Sequence, residues 1–550
     1  MKERRFLLPI IFSVVMIAGI LLGNWYGANF SGRSVGGPSI LNKLKQGGER
    51  DFSFSLMPRT NKITSILSYI ENEYVDTVNV KEITEDVIPS IIEKLDPHSI
   101  YIPARDLQSF NEPLAGNFSG IGILFNMNDD TIAVVSTVPN GPSEIVGIEA
   151  GDRIVYVDDS LVAGQGIPSD NIVRMLKGPK GTIVRVKVFR KNQKDLLEFE
   201  ITRDDIPLYS VDVAYMLNEN TGYMKISTFA MTTFNEFIDG VTRLHNLGMK
   251  KLILDLRGNG GGLMDPAINI ADQFLDANKL IVYTQGKARA RYDYISTPKG
   301  ICKDDEVMIL LDEFSASASE ILAGAIQDND RGIIAGRRSF GKGLVQEQIE
   351  FKDGSALRLT IARYYTPTGR SIQRPYTSDR DKYYMDLHDR YMNHELETSD
   401  SIRFADSLRF LTPGGRVVYG GGGIMPDKFI PLDTSGITNY FNRVRNLGLM
   451  YRFAFDFTDS HRSELDKFNT PEEIVNYLKK TGYFNDFLRY AEKNGVKRNN
   501  SEINISRKVI STQLMAYIAR NVMDNDGFYP IIRDIDNTLL EAEKIFNEPN

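Results

Sequence analysis

The chain has 550 residues, of which 42% are hydrophobic and 25% are charged, and its formal net charge is −7 at pH 7. This length suits three or four domains, and the composition is that of a globular protein. The negative net charge argues against nucleic acid as a partner, because nucleic-acid-binding domains carry basic surfaces. A single cysteine, Cys302, excludes an internal disulfide and argues against a cysteine-based zinc site.

The N-terminal segment has the pattern of a membrane anchor. Residues 6–23 carry no charge and follow the cations Lys2, Arg4 and Arg5. An uncharged run of this length is close to that of a membrane-spanning helix, and the cationic flank predicts a cytoplasmic N-terminus. We therefore predict a signal anchor or transmembrane helix over residues 1–26. It would hold the protein at the inner membrane of the cell envelope, with its body in the periplasm or another extracytoplasmic space. A cleaved signal peptide is the alternative.

After this segment the pattern changes from a linker to helices. Residues 27–57 are rich in Gly, Ser and Asn, which predicts a linker. Between Asn61 and Leu95, apolar residues recur at helical spacing. Residues 58–115 are therefore predicted to form a helical N-terminal domain, in which the sequence LDPHSIY at 95–101 ends the helical pattern.

Residues 116–205 are predicted to form a small mixed module with five or six strands. Short β-rich runs alternate with turn signals such as Asn140-Gly141-Pro142. The predicted strands are 121–125, 132–137, 153–157, 184–189 and 197–201, and one helix is predicted near 170–176.

Residues 206–430 alternate strands and helices, which predicts an α/β layered core. The predicted strands are 222–226, 251–256, 307–311 and 332–335, and the predicted helices are 233–247, 266–275 and 319–327. A charged stretch rich in Tyr and Asp at 375–412 interrupts this region and is predicted to be an inserted loop or flexible segment.

Residues 431–550 are predicted to form a helical C-terminal domain. The sequence TPEE at 470–473 is a capping box with proline at the first helical position. Residues 505–522 and 538–546 carry helical periodicity. No motif in this region assigns it a function.

The sequence SASASE at 315–320 follows a predicted buried strand and begins a helix rich in small residues. At a helix N-terminus the unpaired N–H groups and the helix dipole favour negative charge, as the oxyanion of acyl transfer requires. The alternative is structural, because serine is a common helix cap.

Lys342 lies between two glycines in the sequence FGKG at 340–343. Such a lysine acts as the base for a serine nucleophile only when burial keeps its amine neutral. Gln346, four residues later, is placed to accept a hydrogen bond from the amine and orient it. A lysine in a surface turn is the alternative. A nucleotide-binding P-loop is disfavoured, since Gly343 stands where the Mg²⁺-binding Ser or Thr is needed.

The glycine-rich sequence DLRGNGGG at 255–262 directly follows a predicted strand. Glycines at a strand end leave N–H groups exposed and let another segment approach closely, which suits half of an oxyanion hole. Phosphate binding and a plain tight turn are the alternatives.

The five histidines include no pair of the HExxH type, so no metal site is predicted. His98 lies in the sequence DPHS at 96–99, which is interpreted as a structured turn that joins domains rather than as a catalytic element.

Taken together, these motifs resemble those of the C-terminal processing peptidases. In that family a helical N-terminal part with an LDPHS-type turn precedes a PDZ domain and a crotonase-like protease core. The core carries DLRxNxGG, SASASE and FGKG motifs in this order. The resemblance covers roughly residues 60–430, and it implies an α/β, crotonase-like protease core with an inserted PDZ domain over 116–205.

The resemblance also implies roles for individual residues. It makes Ser317 the nucleophile, Lys342 the base and Gln346 the residue that orients the base. The oxyanion hole would be formed by backbone N–H groups of Ala318 and of a glycine in the 260–262 run, with Gly261 and Gly262 as the candidates.

A PDZ domain implies a peptide-binding groove. The run Gly120, Ile121, Gly122 and Ile123 resembles the PDZ loop whose backbone N–H groups bind a C-terminal carboxylate. Residues 150–158 (AGDRIVYVD) resemble a PDZ strand. An apolar C-terminal tail would add to the module as an extra strand.

We therefore expect a serine endopeptidase that cleaves unfolded or C-terminally tagged envelope proteins through a Ser/Lys acyl-enzyme mechanism, without metal or cofactor. Its expected partners are protein substrates bound by their C-terminal tails, and a homo-oligomer or an activator protein is left open. The alternative is a catalytically silent or partner-activated PDZ adaptor. A crotonase-type enzyme acting on thioesters is disfavoured, since the PDZ module and the Ser/Lys pair do not suit it.

Overall fold

The computed structural model describes residues 61–128, 130–191, 193–376, 380–402 and 405–548. The predicted anchor at 1–26 and the predicted linker at 27–57 lie outside the described residues. Within the described part of the chain, no helix has both the length and the apolar character that a membrane crossing requires. The described residues fall into two compact units, which divide between Val80 and Lys81.

The helices are given in chain order. They are α1 Lys62–Glu73, α2 Val80–Ile92, α3 Leu107–Ala115, α4 Pro142–Ile145, α5 Ser169–Leu176, α6 Thr233–Asn246, α7 Met264–Phe274, α8 Ala318–Asp328, α9 Arg380–Met392, α10 Asn439–Asn446, α11 Leu449–Ser460, α12 Arg462–Leu465, α13 Pro471–Leu478, α14 Tyr483–Lys493, α15 Asn500–Ile532 and α16 Asn537–Asn547.

The strands follow the same order. They are β1 Ile100–Ile102, β2 Asn117–Gly120, β3 Ile123–Asn128, β4 Thr131–Thr137, β5 Arg153–Val157, β6 Ser160–Leu161, β7 Ile183–Phe189, β8 Leu197–Thr202, β9 Asp204–Pro207, β10 Val211–Met216, β11 Thr221–Ile226, β12 Lys251–Asp255, β13 Leu280–Gln285, β14 Tyr292–Ile295, β15 Glu306–Leu311, β16 Ile333–Gly336, β17 Leu344–Glu350, β18 Ala356–Tyr365, β19 Arg409–Leu411, β20 Val417–Tyr419 and β21 Lys428–Phe429.

The main sheet of the core has six strands in the order β10-β11-β12-β15-β16-β21. Only the β10–β11 pair is antiparallel. Successive residues of a strand point to opposite faces. Leu252 and Leu254 of β12 therefore pack with α6, α7 and α8, whereas Ile253 packs with Leu539 and Phe546 of α16 on the other face. Because both faces are covered, the strands are continuous apolar runs, as predicted.

A second sheet carries part of the candidate site. Its order is β1-β18-β13-β14, and β17 also pairs with β18. Ile100 of β1 lies opposite Arg358 of β18. The predicted helical domain at 58–115 therefore also gives one strand to the core. Three residues are too few to show a period in the sequence, so the prediction missed this strand.

The module at 116–205 has the predicted strands and helix. Strands β3, β4, β5, β7 and β8 form a sheet in that order, and β6 pairs with β5. The strand predicted at 121–125 begins two residues later, at Ile123, because Gly122 has a φ of 72° and forms a turn. Strands β2 and β9 pair at the two ends of the module.

The C-terminal region is helical, as predicted, with its own apolar core. The capping box at Thr470 is present. This region contacts the two preceding domains. Phe455 of α11 packs against Ala133 and Val135 of β4. The Tyr529 hydroxyl donates to the Asp212 carboxylate at 2.7 Å.

The prediction of a loop or flexible segment over 375–412 was wrong for its first half. Residues 380–392 form helix α9, which buries Tyr383 and Arg390. The guanidinium of Arg390 donates to the carbonyl oxygen of Ser339 at 2.9 Å. This helix buries a tyrosine and an arginine instead of an aliphatic stripe, so the hydrophobic pattern does not reveal it.

Candidate active site

Ser317 lies in a sharp turn between β15 and α8. Its backbone has φ 57° and ψ −111°, in a region that serine rarely adopts. Residues in such conformations persist only where the surroundings enforce them, and they concentrate at functional sites. The turn places Ser317 at the N-terminus of α8, where the helix dipole favours an anion.

The structure separates Ser317 from the two serines that flank it. The Ser315 hydroxyl donates to the carbonyl oxygen of Leu256 at 2.8 Å, and the Ser319 hydroxyl donates to that of Asn259 at 3.0 Å. Both serines are fully buried. Their hydrogen bonds join the turn that carries Ser317 (the serine turn) to the glycine-rich segment 255–262. Ser317 instead lines a cavity. Of the three serines, Ser317 is therefore the one that a substrate can reach.

Lys342 lines the same cavity as Ser317. Burial lowers the pKa of its amine, and the positive charge of Arg358 lowers it further. A neutral amine is what a general base requires. The amine donates to Gln346 Oε1 at 3.2 Å. Across the described contacts, no hydrogen bond joins this amine to the Ser317 hydroxyl.

A buried carboxylate joins the two segments that carry Ser317 and Lys342. Glu320 is fully buried and accepts four hydrogen bonds. The donors are the backbone N–H groups of Ser317 (2.8 Å), Gly341 (2.7 Å) and Lys342 (2.8 Å) and the hydroxyl of Ser339 (2.5 Å). Burial raises the pKa of Glu320, and these donors oppose the rise. Because four donors point at its two oxygens, we assign Glu320 as ionised.

Tyr364 contacts the carbonyl groups of the same two residues. Its hydroxyl lies 2.8 Å from the carbonyl oxygen of Lys342 and 3.1 Å from that of Ser317. Burial raises the pKa of Tyr364, so the hydroxyl keeps its proton. Glu320 and Tyr364 therefore fix the backbone positions of both candidate catalytic residues.

Gln346 has a fixed orientation. Its Nε2 donates to the carbonyl oxygen of His98 at 2.6 Å, so Oε1 is left to accept from Lys342. The His98 ring lies 2.8 Å from the Tyr383 hydroxyl. Burial lowers the pKa of His98 to about 3, with the charge of Lys342 as the next cause, so the ring is neutral at pH 7. The turn at His98 supports Gln346, which agrees with its interpretation as a structural turn.

The glycine turn at 258–262 approaches the serine turn closely. A Cβ on Gly261 would lie 2.7 Å from the Ser317 Cβ and 2.8 Å from the Ala316 carbonyl oxygen. The Gly261 N–H donates to the Asn259 side chain at 2.8 Å, which removes it from the candidate oxyanion donors in this structure. Gly262 and Ala318 line the cavity.

The cavity lined by Ser317 and Lys342, the candidate catalytic cavity, has a volume of about 560 Å³. Its apolar wall comes from several elements. They include α3, α7, α8 and β17, through Leu114, Met264, Ile321 and Leu344.

A second, smaller cavity lies in the module at 116–205. It has a volume of about 150 Å³ and is lined by residues of β2, β3 and α5. The predicted loop residues Gly120, Ile121, Gly122 and Ile123 all line it. The ammonium of Lys177, at its edge, pairs with Glu112 of α3 at 2.5 Å.

Several residues of the site were missed by the sequence prediction. Glu320 stands in the quoted motif without a role, although a glutamate three residues after a helix-capping serine is the pattern of a capping box. Asn259 stands in the quoted DLRxNxGG motif without a role. Tyr364 and Arg358 were given no role either, because only the fold brings them to the cavity.

Comparisons with known proteins show which families the chain is similar to. The profile of peptidase family S41 matches residues 220–380, and that of the PDZ domain matches residues 119–201. A profile described as a family of unknown function, DUF8443, matches residues 440–524.

Two relatives show how far the similarity extends. The chain is 34% identical over 313 residues to a carboxy-terminal-processing protease of Bartonella bacilliformis, covering 56% of this chain and 71% of that one. The chain belongs to the C-terminal processing peptidases of family S41. It is also 34% identical over 313 residues to a probable CtpA-like serine protease of Staphylococcus haemolyticus, covering 56% of this chain. The aligned region spans 62% of the length of that relative.

The chain is also similar to a protein of known structure. The photosystem II D1 C-terminal processing protease is 28% identical, with coverage of 56% of this chain and 83% of that chain and a TM-score of 0.34.

Proposed function

We propose that this protein is a serine endopeptidase in which Ser317 is the nucleophile and Lys342 is the general base. The observation that carries the proposal is that both side chains line one cavity while Glu320 and Tyr364 hold their backbones together. Membership of family S41 supports the same reaction class.

The proposed reaction has two steps. Neutral Lys342 takes the proton of the Ser317 hydroxyl as the oxygen attacks the peptide carbonyl. The Lys342 ammonium then gives this proton to the departing amine as the C–N bond breaks, which leaves the acyl group on Ser317 and the base neutral again. Water then attacks the ester with Lys342 again as base. The N–H groups of Ala318 and Gly262 are the proposed oxyanion donors, since both residues line the cavity and the helix dipole adds positive charge.

Substrate selection is proposed to begin in the PDZ groove. The apolar lining by Phe118, Ile121 and Phe125 suits an apolar C-terminal tail, which would lie beside β3 as an added strand. Unfolded or tagged envelope proteins remain the proposed substrates. The predicted anchor and the bacterial relatives support the proposed envelope location. The crotonase-like assignment of the core also stays a proposal.

The proposal is tested with the full chain and an unfolded protein that carries an apolar C-terminal tail. We expect cleavage by the parent and none by Ser317→Ala or Lys342→Met, whereas Lys250→Met, an exposed lysine of the core, should cut normally. A serine-directed fluorophosphonate should label the parent and not Ser317→Ala. Cleavage by Ser317→Ala would reject the nucleophile.

One observation favours a second candidate, a partner-activated PDZ adaptor. The Ser317 hydroxyl and the Lys342 amine are not hydrogen-bonded in the described structure, although such bonds often form only with substrate bound. Tail binding without cleavage or labelling would favour this candidate, and restored cleavage on adding a partner protein would define the activator.

A further inference from the structure

Arg358 is a cation in the wall of the candidate catalytic cavity. It lies on β18, opposite Ile100 of β1 and Gln348 of β17. One of its nitrogens donates to Gln348 Oε1 at 2.9 Å. The side chain is half-buried, and its position between two strands limits its movement.

The charge of Arg358 has no counterion among the described residues. No acidic side chain in the described part of the chain lines the cavity. Four other buried or half-buried arginines of the core are paired with carboxylates: Arg257 with Asp255, Arg337 with Glu313, Arg338 with Glu395 and Arg370 with Asp328. Arg331, which has no such pair among the described residues, donates to four backbone carbonyl oxygens. Arg358 forms no such pair with any described residue.

A half-buried cation without a counterion is costly, because burial removes part of its hydration and only the Gln348 amide oxygen replaces it. Burial lowers the pKa of Arg358, with no carboxylate to oppose the change. The guanidinium nevertheless stays protonated at neutral pH. It carries five N–H donors in a planar fork that fits a carboxylate.

We propose that Arg358 binds a carboxylate of the peptide held in the candidate catalytic cavity. The carboxylate is either an acidic side chain near the scissile bond or the C-terminus of the peptide. The proposal rests on the proposed peptidase function. Arg358 would give the cavity a selectivity for anionic peptides, which the apolar wall would not provide. The bound carboxylate replaces the lost hydration of the guanidinium.

The test uses the full chain and peptides that span a cleavage site mapped by mass spectrometry in an unfolded carrier protein. Each peptide is made with Gln or Glu at the positions around the bond. Each is also made with a free C-terminus or a C-terminal amide. The parent should prefer the carboxylate form at one position by about 10- to 100-fold in kcat/KM, as for a charge-assisted hydrogen bond.

Three variants test whether Arg358 causes the preference for the carboxylate form. Arg358→Met should abolish it, Arg358→Lys should keep only part of it, and Arg363→Met, an exposed arginine of the same strand, should leave it unchanged. Arg358 also lowers the pKa of Lys342. We therefore compare the ratio of paired peptides within each variant, in which an effect on the base cancels.

The outcomes distinguish an acidic side chain from the peptide C-terminus as the source of the carboxylate. They also distinguish failure of the Arg358 proposal from failure of the peptidase proposal. A preference for Glu in the amidated peptides identifies an acidic side chain, and a preference for the free acid irrespective of Glu identifies the C-terminus. A preference that Arg358→Met does not reduce, or one that is absent from the parent, overturns the proposal.

Failure of the proposed peptidase function would be recognised separately, because the parent would show neither cleavage nor labelling of Ser317. In that case the same peptide pairs are used in binding measurements by fluorescence anisotropy with Ser317→Ala and with Ser317→Ala/Arg358→Met. Only the part of the carboxylate preference that the second substitution removes belongs to Arg358, because the PDZ groove is common to both proteins. An unchanged preference would again overturn the proposal.

Discussion

The carboxylate oxygen Oε2 of Glu320 lies 2.8 Å from the backbone nitrogen of Ser317. The same oxygen lies 2.8 Å from the backbone nitrogen of Lys342. One buried atom therefore fixes the distance between two turns that are 25 positions apart in sequence. We propose that Glu320 is a positioning residue, which would act on the proposed reaction through Ser317 and Lys342.

Replacing Glu320 by glutamine should lower kcat by about 100-fold with little change in KM. The amide would point an N–H group at donors that now have an acceptor, which costs about 1–3 kcal/mol per unsatisfied group. The substitution also removes a negative charge that raises the pKa of Lys342. The rise of kcat/KM with pH should therefore move to lower pH, which a purely structural defect would not produce.

The matched control is Glu219→Gln on the exposed surface, which should match the parent in activity and in urea unfolding. A parental kcat for Glu320→Gln would contradict the positioning role.

Tyr364→Phe should lower kcat/KM by about 10-fold. The Tyr364 hydroxyl donates to the carbonyl oxygens of Ser317 and Lys342. Loss of one hydrogen bond would cost about 1–1.5 kcal/mol of stabilisation. Steady-state kinetics with the unfolded substrate measures the loss. Tyr365→Phe, on the next residue of β18, should have no effect. Equal losses of kcat/KM in both variants would show that the Tyr364 hydroxyl makes no specific contribution to activity.

Gly261→Ala should abolish activity. Its methyl group would lie within 3 Å of the Ser317 Cβ, and its φ of 103° is strained for any residue with a side chain. Gly258→Ala is the matched control, since Gly258 has a φ of 73° but no atom near its Cβ position. Labelling of Ser317 by fluorophosphonate reports both. Full labelling of Gly261→Ala would show that the two turns tolerate separation.

The pH dependence should report Lys342. A protonated amine cannot accept the Ser317 proton, so kcat/KM should rise with pH and level off above the pKa of Lys342. Burial lowers this pKa from the usual value of 10.5, so the rise should be complete at a lower pH than an exposed lysine would require.

Lys342→Arg is the counterpart of this measurement. The guanidinium stays protonated, so this variant should be inactive at every pH tested. Lys250→Arg on the exposed surface should keep the parental profile. A profile with no acid-side rise in the parent would argue against a lysine base.

Asp536→Asn should destabilise the contact between the C-terminal helices and the core. Asp536 accepts two hydrogen bonds from Arg257, at 2.8 and 2.7 Å, in a bidentate pair. Breaking it should cost about 1–3 kcal/mol in the free energy of unfolding, measured in urea. Asp534→Asn, an exposed neighbour, should cost nothing. Equal stability of both variants would show that the pair is energetically neutral.

The sequence by itself determined most of the architecture. Four strands of the main sheet, five strands of the PDZ module and the helices beside them were predicted within about three residues, because burial on one or both faces gives the sequence a hydrophobic period. Strands β10, β13, β14, β17 and β18 of the core were not predicted. It also determined Ser317, Lys342 and Gln346 as candidates, since three short motifs and their order suffice for the resemblance. Helix α9 was missed, because it buries Tyr383 and Arg390 instead of an aliphatic stripe.

Only the tertiary structure decided which groups surround these candidates. It assigned structural hydrogen bonds to Ser315 and Ser319, removed Gly261 as an oxyanion donor, and brought Glu320, Tyr364 and Arg358 to the site. Local patterns record whether a residue is buried. The partners of a buried polar group come from distant segments, so hydrogen bonds and unpaired charges become visible only when the chain is folded.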